Sequence, residues 1–236
     1  MNNLSFKISV IIPCYNEKST IEKVIINVKK NIDISKDEIV IVDDFSDDGT
    51  RDVLKNLQRE DNIKIIYNSK NYGKGYSLRN GINHSSGDII IVQDADLEYN
   101  PTDYDKLLIP FIEADADVVY GSRFLGGGKY VRIHFFWHYL ANKILTFVCN
   151  IFTNLNLTDM ETGYKLFKSS HIKQVKLVEN SFGIEPEITI KLAKKGLKFF
   201  EVPISYNGRS YKEGKKIGLK DAFIAVYCIL RFGLFK

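Results

Sequence analysis

The chain has 236 residues, 44% hydrophobic and 26% charged, the proportions of an ordinary globular protein able to bury one large core. No run approaches the roughly 18 apolar residues of a membrane span, and the opening MNNLSFKIS has neither the basic nor the apolar region of a signal peptide. Three cysteines (Cys14, Cys149, Cys228) stand far apart without metal-ligand spacing, which suits a reducing compartment. The net charge of +4 is uneven: residues 1–100 carry 13 Lys and Arg against 16 Asp and Glu, and the remainder 20 against 13. A basic second half suits nucleic acid, anionic lipid, a phosphorylated substrate or plain solubility.

In chain order, Lys7–Ile12 predicts a first buried strand, closed by Pro13. Ser19 and Glu22 have capping-box spacing, and Ile21, Val24, Ile25 and Val28 follow at helical period. Glu38–Val42 predicts a second strand ending in Asp43-Asp44, then a turn over Phe45–Gly49 and a helix to about Arg59. Ile63–Tyr67 is a third strand, and Asn71-Tyr72-Gly73-Lys74-Gly75 leads into a helix to about His84. Ile89–Val92 is a fourth, a continuous β-branched run of the kind buried on both faces. A helix over about Thr102–Ala114 is expected to be kinked or interrupted at Pro110. Val118–Tyr120 is a fifth strand, ending in Gly121-Ser122-Arg123.

Beyond the triple glycine 126–128, His134–Phe152 is long, apolar and aromatic. It reads as a core helix or as one partly offered to membrane or a lipid chain. Tyr164–Phe167 and Leu197–Ile204 predict two more strands, and Gly183–Lys195 a helix preceded by Glu185-Pro186-Glu187. A polar, basic stretch over 207–216 leads to a terminal apolar segment, Asp221–Lys236. Residues 1–216 read as the catalytic domain and 217–236 as an apolar, interfacial helix. Strands alternating with helices predict an α/β fold with a mostly parallel central sheet.

Ligands of such sheets bind outside the carboxyl ends of the strands. The unusual residues gather there: Tyr15 and Glu17, Asp43 and Asp44, Asp94 and Asp96, and Arg123. Asp94 and Asp96 point the same way, roughly 7 Å apart at Cα, with Glu98 just beyond. Three carboxylates there are either a solvated acidic turn or the setting for a hard divalent cation or sugar hydroxyls. Lys74 reads as a solvated lysine or an anion-binding group at a helix start, and Arg123 as a structural ion pair or a phosphate ligand. His84, His134, His138 and His171 lack ligand spacing.

Seven blocks carry a resemblance: IIPCYNE (11–17), IVDDFSDDGT (41–50), NYGKG (71–75), QDADLEYNP (93–101), GSRF (121–124), TDMETGYKLF (158–167) and EVPISYNGRSYKEGKKI (201–217). In order and spacing the chain resembles family 2 glycosyltransferases of the GT-A fold. Within them it is similar to the branch of dolichol-phosphate mannose synthase and other polyprenyl-phosphate sugar transferases. The resemblance implies that Pro13, Tyr15 and Glu17 line the nucleotide site, Asp43 meets the base, and Gly73 and Lys74 lie beside the nucleotide. It places Asp94 and Asp96 at the ribose and metal-diphosphate end, with Asp96 the direct ligand of Mg²⁺ or Mn²⁺. Phe45 departs from the family, which usually has Gly there, and Glu98 stands where the mannose synthases commonly have Gln.

The reaction expected is inverting, metal-dependent transfer of a hexose from a GDP- or UDP-sugar to a polyprenyl phosphate. Asp94, Asp96 and Glu98 serve as oxygen ligands, and Arg123, Arg132, Arg209, Lys215 and Lys216 as the clamp on the acceptor phosphate. The protein is expected in the cytoplasm, peripherally on the inner membrane face, with a homo-oligomer open and nucleic acid not a partner. One rival is transfer to a saccharide hydroxyl in surface-polysaccharide assembly. The other is a non-catalytic nucleotide-sugar-binding module.

Overall fold

The computed structural model describes residues 6–57, 62–126, 135–208 and 219–235. The β-branched runs form β1 (Ile8–Cys14), β2 (Glu38–Asp43), β3 (Ile63–Tyr67), β4 (Ile89–Val92) and β5 (Val118–Ser122), joined by β6 (Lys165–Lys168) and β7 (Phe199–Pro203). They make one sheet in the order β3-β2-β1-β4-β6-β5-β7. Every pairing is parallel except those of β6, which runs antiparallel to both β4 and β5. The α/β fold with a mostly parallel sheet is therefore the observed one. The carboxyl ends of β1, β2, β4 and β5 share one edge.

The sheet is buried on both faces, and β1 shows how. Ile8, Val10 and Ile12 point into one core, with α1 (Ile21–Lys29), α2 (Thr50–Leu57) and α4 (Tyr104–Glu113). Ile11 points into the other, with α3 (Lys74–His84), α5 (Phe136–Thr153), α7 (Ile184–Ala193) and α8 (Leu219–Leu234). A one-turn helix, α6 (Ser169–Ile172), follows β6. Each isoleucine so buried contributes about 1.5–3 kcal/mol, so the sheet carries much of the stability and leaves its ligand edge to polar residues.

Two local expectations are corrected, the capping box and an interruption at Pro110. Thr20, not Ser19, occupies the N-cap of α1, and its hydroxyl turns back to the Glu17 carbonyl and carboxylate, so no capping box forms. Pro110 lies inside α4 without ending it. A proline lacks only its own N–H, and its carbonyl here still accepts from Ala114 and Ala116.

The segment read as a core helix or as one partly offered to membrane packs one face into the core and leaves the other exposed. Of α5, only Asn142, Leu145, Thr146 and Cys149 are buried, while Phe136, Trp137, Phe147 and Ile151 are exposed. α8 packs on α5 and α7 through Ala225, Cys228, Ile229 and Phe232, and Lys194 caps its last carbonyls at Phe232 and Gly233. Its other face exposes Phe223, Tyr227, Leu230 and Leu234. Among the described residues no helix is long and apolar enough to cross a membrane.

Candidate active site

At the ends of β1 and β2 the loops are tied together. Asn16, at a positive φ of 53°, takes a hydrogen bond from the Asp47 amide (3.0 Å) and gives one to the Asp47 carboxylate (2.8 Å). Glu17 is buried and its amide donates to Thr50 Oγ1, whereas Tyr15 stands exposed beside them. The adjacent pair Asp43-Asp44 divides its work. Asp44 accepts from the amides of Tyr72 (3.0 Å) and Gly73 (2.7 Å) and from Asn68 Nδ2 (2.7 Å), so it fixes the loop that carries Lys74. Asp43 is fully buried, with Oδ2 on Arg51 Nε at 2.6 Å. Its Oδ1 has no hydrogen-bond partner among the described residues, an acceptor of the kind a ligand donor satisfies. Phe45 sits at φ 67°, in the left-handed region a bulky side chain rarely adopts, with the Arg51 guanidinium 4.8 Å from its ring centroid. The turn thus keeps the left-handed backbone of a glycine and adds a half-exposed aromatic ring.

β4 delivers Asp94, whose Oδ1 lies 2.8 Å from Lys74 Nζ. Lys74 also reaches Glu185 Oε1 at 3.3 Å. Burial opposes the Lys74 charge, but the two carboxylates outweigh it and hold its pKa above the ordinary lysine value. Gly163 makes room for Asp94: a Cβ there would fall 2.3 Å from Asp94 Oδ2. Beneath them Gln93 Oε1 accepts from the hydroxyls of Tyr104 (2.6 Å) and Tyr164 (2.7 Å), and the Tyr99 ring contacts those of Tyr164 and Tyr206 at tilted angles. A glutamine and four tyrosines form this floor.

The three carboxylates expected to converge on one cation do not. Among the described residues no three His, Cys, Asp or Glu side chains are grouped to hold a metal ion. The physical reason is that each has its own partner. Asp94 is drawn to Lys74, Asp96 Oδ1 accepts the Glu98 amide at 3.1 Å across a turn through Leu97 (φ 63°), and Glu98 Oε2 accepts the Tyr206 hydroxyl.

At the end of β5, Arg123 gives Nε and Nη2 to the two oxygens of Asp159, both at 2.7 Å, and its own amide as well. Burial disfavours the Asp159 charge, but this fork outweighs it and the carboxyl stays below its usual range. Of the alternatives for Arg123, the ion pair is therefore present; its guanidinium also lies 5.1 Å from the Tyr206 ring centroid. Arg132, Arg209, Lys215 and Lys216 lie outside the described residues.

Sequence reasoning missed Glu185, Tyr206 and the state of Glu161. Glu161 Oε1 is buried without a hydrogen-bond partner among the described residues. Burial and the nearby Glu185 charge push its carboxyl up to about 7, against Lys165 and Arg123. For Glu185 a signal was present. It lies in a helix rich in Ile and Leu (Ile184, Ile188, Ile190, Leu192), where a buried carboxylate needs a partner.

Residues 9–176 match the profile described as glycosyl transferase family 2. The chain is 33% identical over 214 residues to a dolichol-phosphate mannosyltransferase of Pyrococcus furiosus, covering 90% of this chain and 60% of that protein. It is 30% identical to the uncharacterized protein MJ0544 of Methanocaldococcus jannaschii (88% of this chain, 93% of that protein). It is 28% identical to glycosyltransferase AglJ of Haloferax volcanii (86% and 63%). It thus spans less than two thirds of the first and third of these relatives. Among solved structures it superposes on Mycobacterium tuberculosis glucosyl-3-phosphoglycerate synthase with TM-score 0.76 and 18% identity, over 98% of this chain and 82% of the other. The same enzyme in complex with Mn²⁺ and UDP-glucose gives 0.74 at 18% identity, over 98% and 80%. At this identity the likeness establishes the shared fold.

Proposed function

Because the chain belongs to glycosyl transferase family 2, we propose that it transfers a hexose from a GDP- or UDP-sugar to a polyprenyl phosphate held in a membrane surface. One observation carries the acceptor half of this reading: α5 faces two ways. Its inner face reaches the ligand edge, where Asn142 donates to Asp159 and Lys143 to the Thr158 carbonyl. Its outer face leaves Trp137 76% exposed, with Phe136, Phe147 and Ile151 beside it, and α8 next to it leaves Phe223 75% exposed. Two packed helices with aromatic and aliphatic outer faces suit an interface-lying surface rather than a span. The dolichol-phosphate mannosyltransferase relative supports the same acceptor class. The protein would then work peripherally on the cytoplasmic membrane face.

On the donor side the base would lie against Tyr15, Pro13 and the unsatisfied Asp43 Oδ1, and the diphosphate toward Lys74, Asp94 and Asp96. The donor chemistry fits Mg²⁺ or Mn²⁺ without a three-carboxylate cage, since such ions take one or two carboxylates together with substrate phosphates. Asp96 is the proposed ligand and Glu98 the second, once Tyr206 yields it. A divalent ion there, when bound, offsets charge on the departing diphosphate. Lys74 adds a fixed positive charge at the same edge. An acceptor phosphate oxygen attacks the anomeric carbon from the side opposite the diphosphate, the bond to the diphosphate breaks, and the configuration inverts. A phosphate monoester is largely dianionic at neutral pH, with a second pKa of about 6, so this transfer requires no base.

A saccharide hydroxyl acceptor, by contrast, requires one. Glu161, whose buried Oε1 has no hydrogen-bond partner among the described residues and whose carboxyl burial pushes up to about 7, is the candidate base under this second reading. Vesicle flotation with and without anionic lipid, combined with a thermal-shift panel of GDP- and UDP-sugars plus Mn²⁺, tests the first. Co-flotation at low salt, weakened by high salt, together with a higher melting temperature for one donor, is the expected result. A protein that floats with no lipid composition makes the saccharide reading the better one. A protein that binds a donor and transfers to neither acceptor is a binding module.

A further inference from the structure

Lys74 is held from behind, and its flanking glycines show by what. A Cβ at Gly73 would fall 2.4 Å from the Asn180 carbonyl oxygen, and one at Gly75 would fall 2.6 Å from that of Glu179. The Tyr76 amide donates to Asn180 O at 3.1 Å, and Arg79 Nη1 to Glu179 O at 3.0 Å. The residues leading into α7 therefore lie backbone against backbone on the Lys74 loop, an approach only glycine permits. This contact fixes the register between the loop and the first turn of α7, where Glu185 stands.

Glu185 is buried and spans two ammonium groups, Lys74 on Oε1 at 3.3 Å and Lys165 on Oε2 at 2.5 Å. Lys165 is also buried and donates to the Thr162 carbonyl. The charges alternate along a ladder, Asp94, Lys74, Glu185, Lys165, drawn from the end of β4, the start of α3, the start of α7 and β6. Buried ion ladders are a poor source of stability, since well-packed apolar residues often do as well. This one ends at Asp94, on the ligand edge. Lys74 already pairs with Asp94 at 2.8 Å, and Glu185 gives its ammonium a second carboxylate, so the charge is not committed to Asp94 alone.

We propose that Glu185 is a positioning residue for donor binding: it holds the Lys74 ammonium at the sheet edge and supplies the countercharge Lys74 retains when the donor engages Asp94. The inference rests on the reading of Lys74 and Asp94 as donor-binding groups. It makes α7 part of the donor site although Glu185 itself touches no substrate. It also gives Gly73 and Gly75 a role in admitting the 179–181 backbone.

Calorimetric titration with GDP and UDP at saturating Mn²⁺, using the tighter of the two, tests it through a double-mutant cycle. Lys74→Met is expected to weaken nucleoside diphosphate binding about tenfold, the loss of one charge-assisted contact. Glu185→Gln should weaken it several-fold, and the double variant should bind no worse than Lys74→Met alone. Such non-additivity is the mark of action through Lys74, which a merely structural role would not produce. Because Glu185→Gln strands the Lys165 charge, Glu185→Gln/Lys165→Met serves in its place if the single variant does not fold. If Lys74→Met weakens binding and a folded Glu185 variant does not, or if the two effects add, the positioning role is refuted and the donor reading stands. If Lys74→Met binds normally, the donor role of Lys74 falls and the inference falls with it.

Discussion

The two sides of this molecule are built on opposite principles. The proposed donor side, at the ends of β1, β2 and β4, is a lattice of short-range polar contacts in which Asp44 receives three hydrogen bonds and Lys74 is shared between two carboxylates. The proposed acceptor side, along α5 and α8, presents large apolar residues on its outer face: Phe136, Trp137, Phe147, Phe223. A nucleotide diphosphate is small, charged and diffuses in water, so recognising it calls for fixed donors and countercharges. A lipid phosphate stays in its bilayer with only the head group accessible, so reaching it calls for an adhesive surface near the chemistry. On this account, mutations on the donor side change affinity and chemistry, and mutations on the outer helix faces change where the protein is.

The largest effect expected is at Asp96. Asp96→Ala should lower transfer by on the order of 10²–10³-fold while the melting temperature holds, because a half-exposed carboxylate at a loop is not needed for the fold. Near-normal turnover at saturating Mn²⁺ would remove the metal-ligand assignment. Next comes the pair joining the two sides. Asp159→Asn leaves the Arg123 charge buried without its partner and should cost about 3–5 kcal/mol in denaturant unfolding. Arg123→Lys should recover little of the native stability, since an ammonium cannot reproduce the two-point contact. A substitution at Arg123 that left stability intact and raised only the KM for lipid phosphate would instead favour the clamp role.

On the apolar side, Trp137→Glu and Phe147→Glu should abolish vesicle flotation with stability within about 0.5 kcal/mol of the parent, since neither residue is buried. Nucleotide affinity should not move. The smallest effect is a pH slope. The Glu161 carboxyl titrates near 7 when folded and near its ordinary 4.5 when unfolded, so the folded protein binds the extra proton between those values. Stability from this group is full below about 4.5 and declines as pH rises toward 7. Glu161→Gln should flatten that decline in melting temperature, with the gap between the two proteins widest above pH 7. Parallel pH curves would mean the carboxyl titrates normally.

How much of this was legible depended on the range of the forces involved. Ile63–Tyr67 and Ile89–Val92 appear with the bounds read from sequence, and the helix after the 71–75 loop ends at His84 as read, because β-branched runs and helical period are local patterns. The residues at strand ends were legible for the same reason: strand direction sets which edge they reach. The reversed direction of β6 was not, since the run Tyr164–Phe167 carries no signal of polarity and its pairing with β4 and β5 is a matter of topology. Nor was the Asp43-Asp44 pair divisible, because the two roles are set by Arg51 on one side and the Tyr72–Gly73 amides on the other. Glu185 and Tyr206 act through partners about one hundred residues away in sequence. The convergence expected of Asp94, Asp96 and Glu98 from spacing gave way to separate partners: Lys74 for Asp94, the Glu98 amide for Asp96 and the distant Tyr206 for Glu98.

The division into a polar donor side and an adhesive acceptor side is tested most directly by one partition assay. A radiolabelled hexose donor is offered, with Mn²⁺, to vesicles containing polyprenyl phosphate and to a soluble saccharide in the same reaction. The label is then extracted into organic solvent. The account predicts organic-phase label that requires polyprenyl phosphate and disappears with Trp137→Glu/Phe147→Glu. Label recovered in the saccharide, at the same rate with or without vesicles, would contradict it.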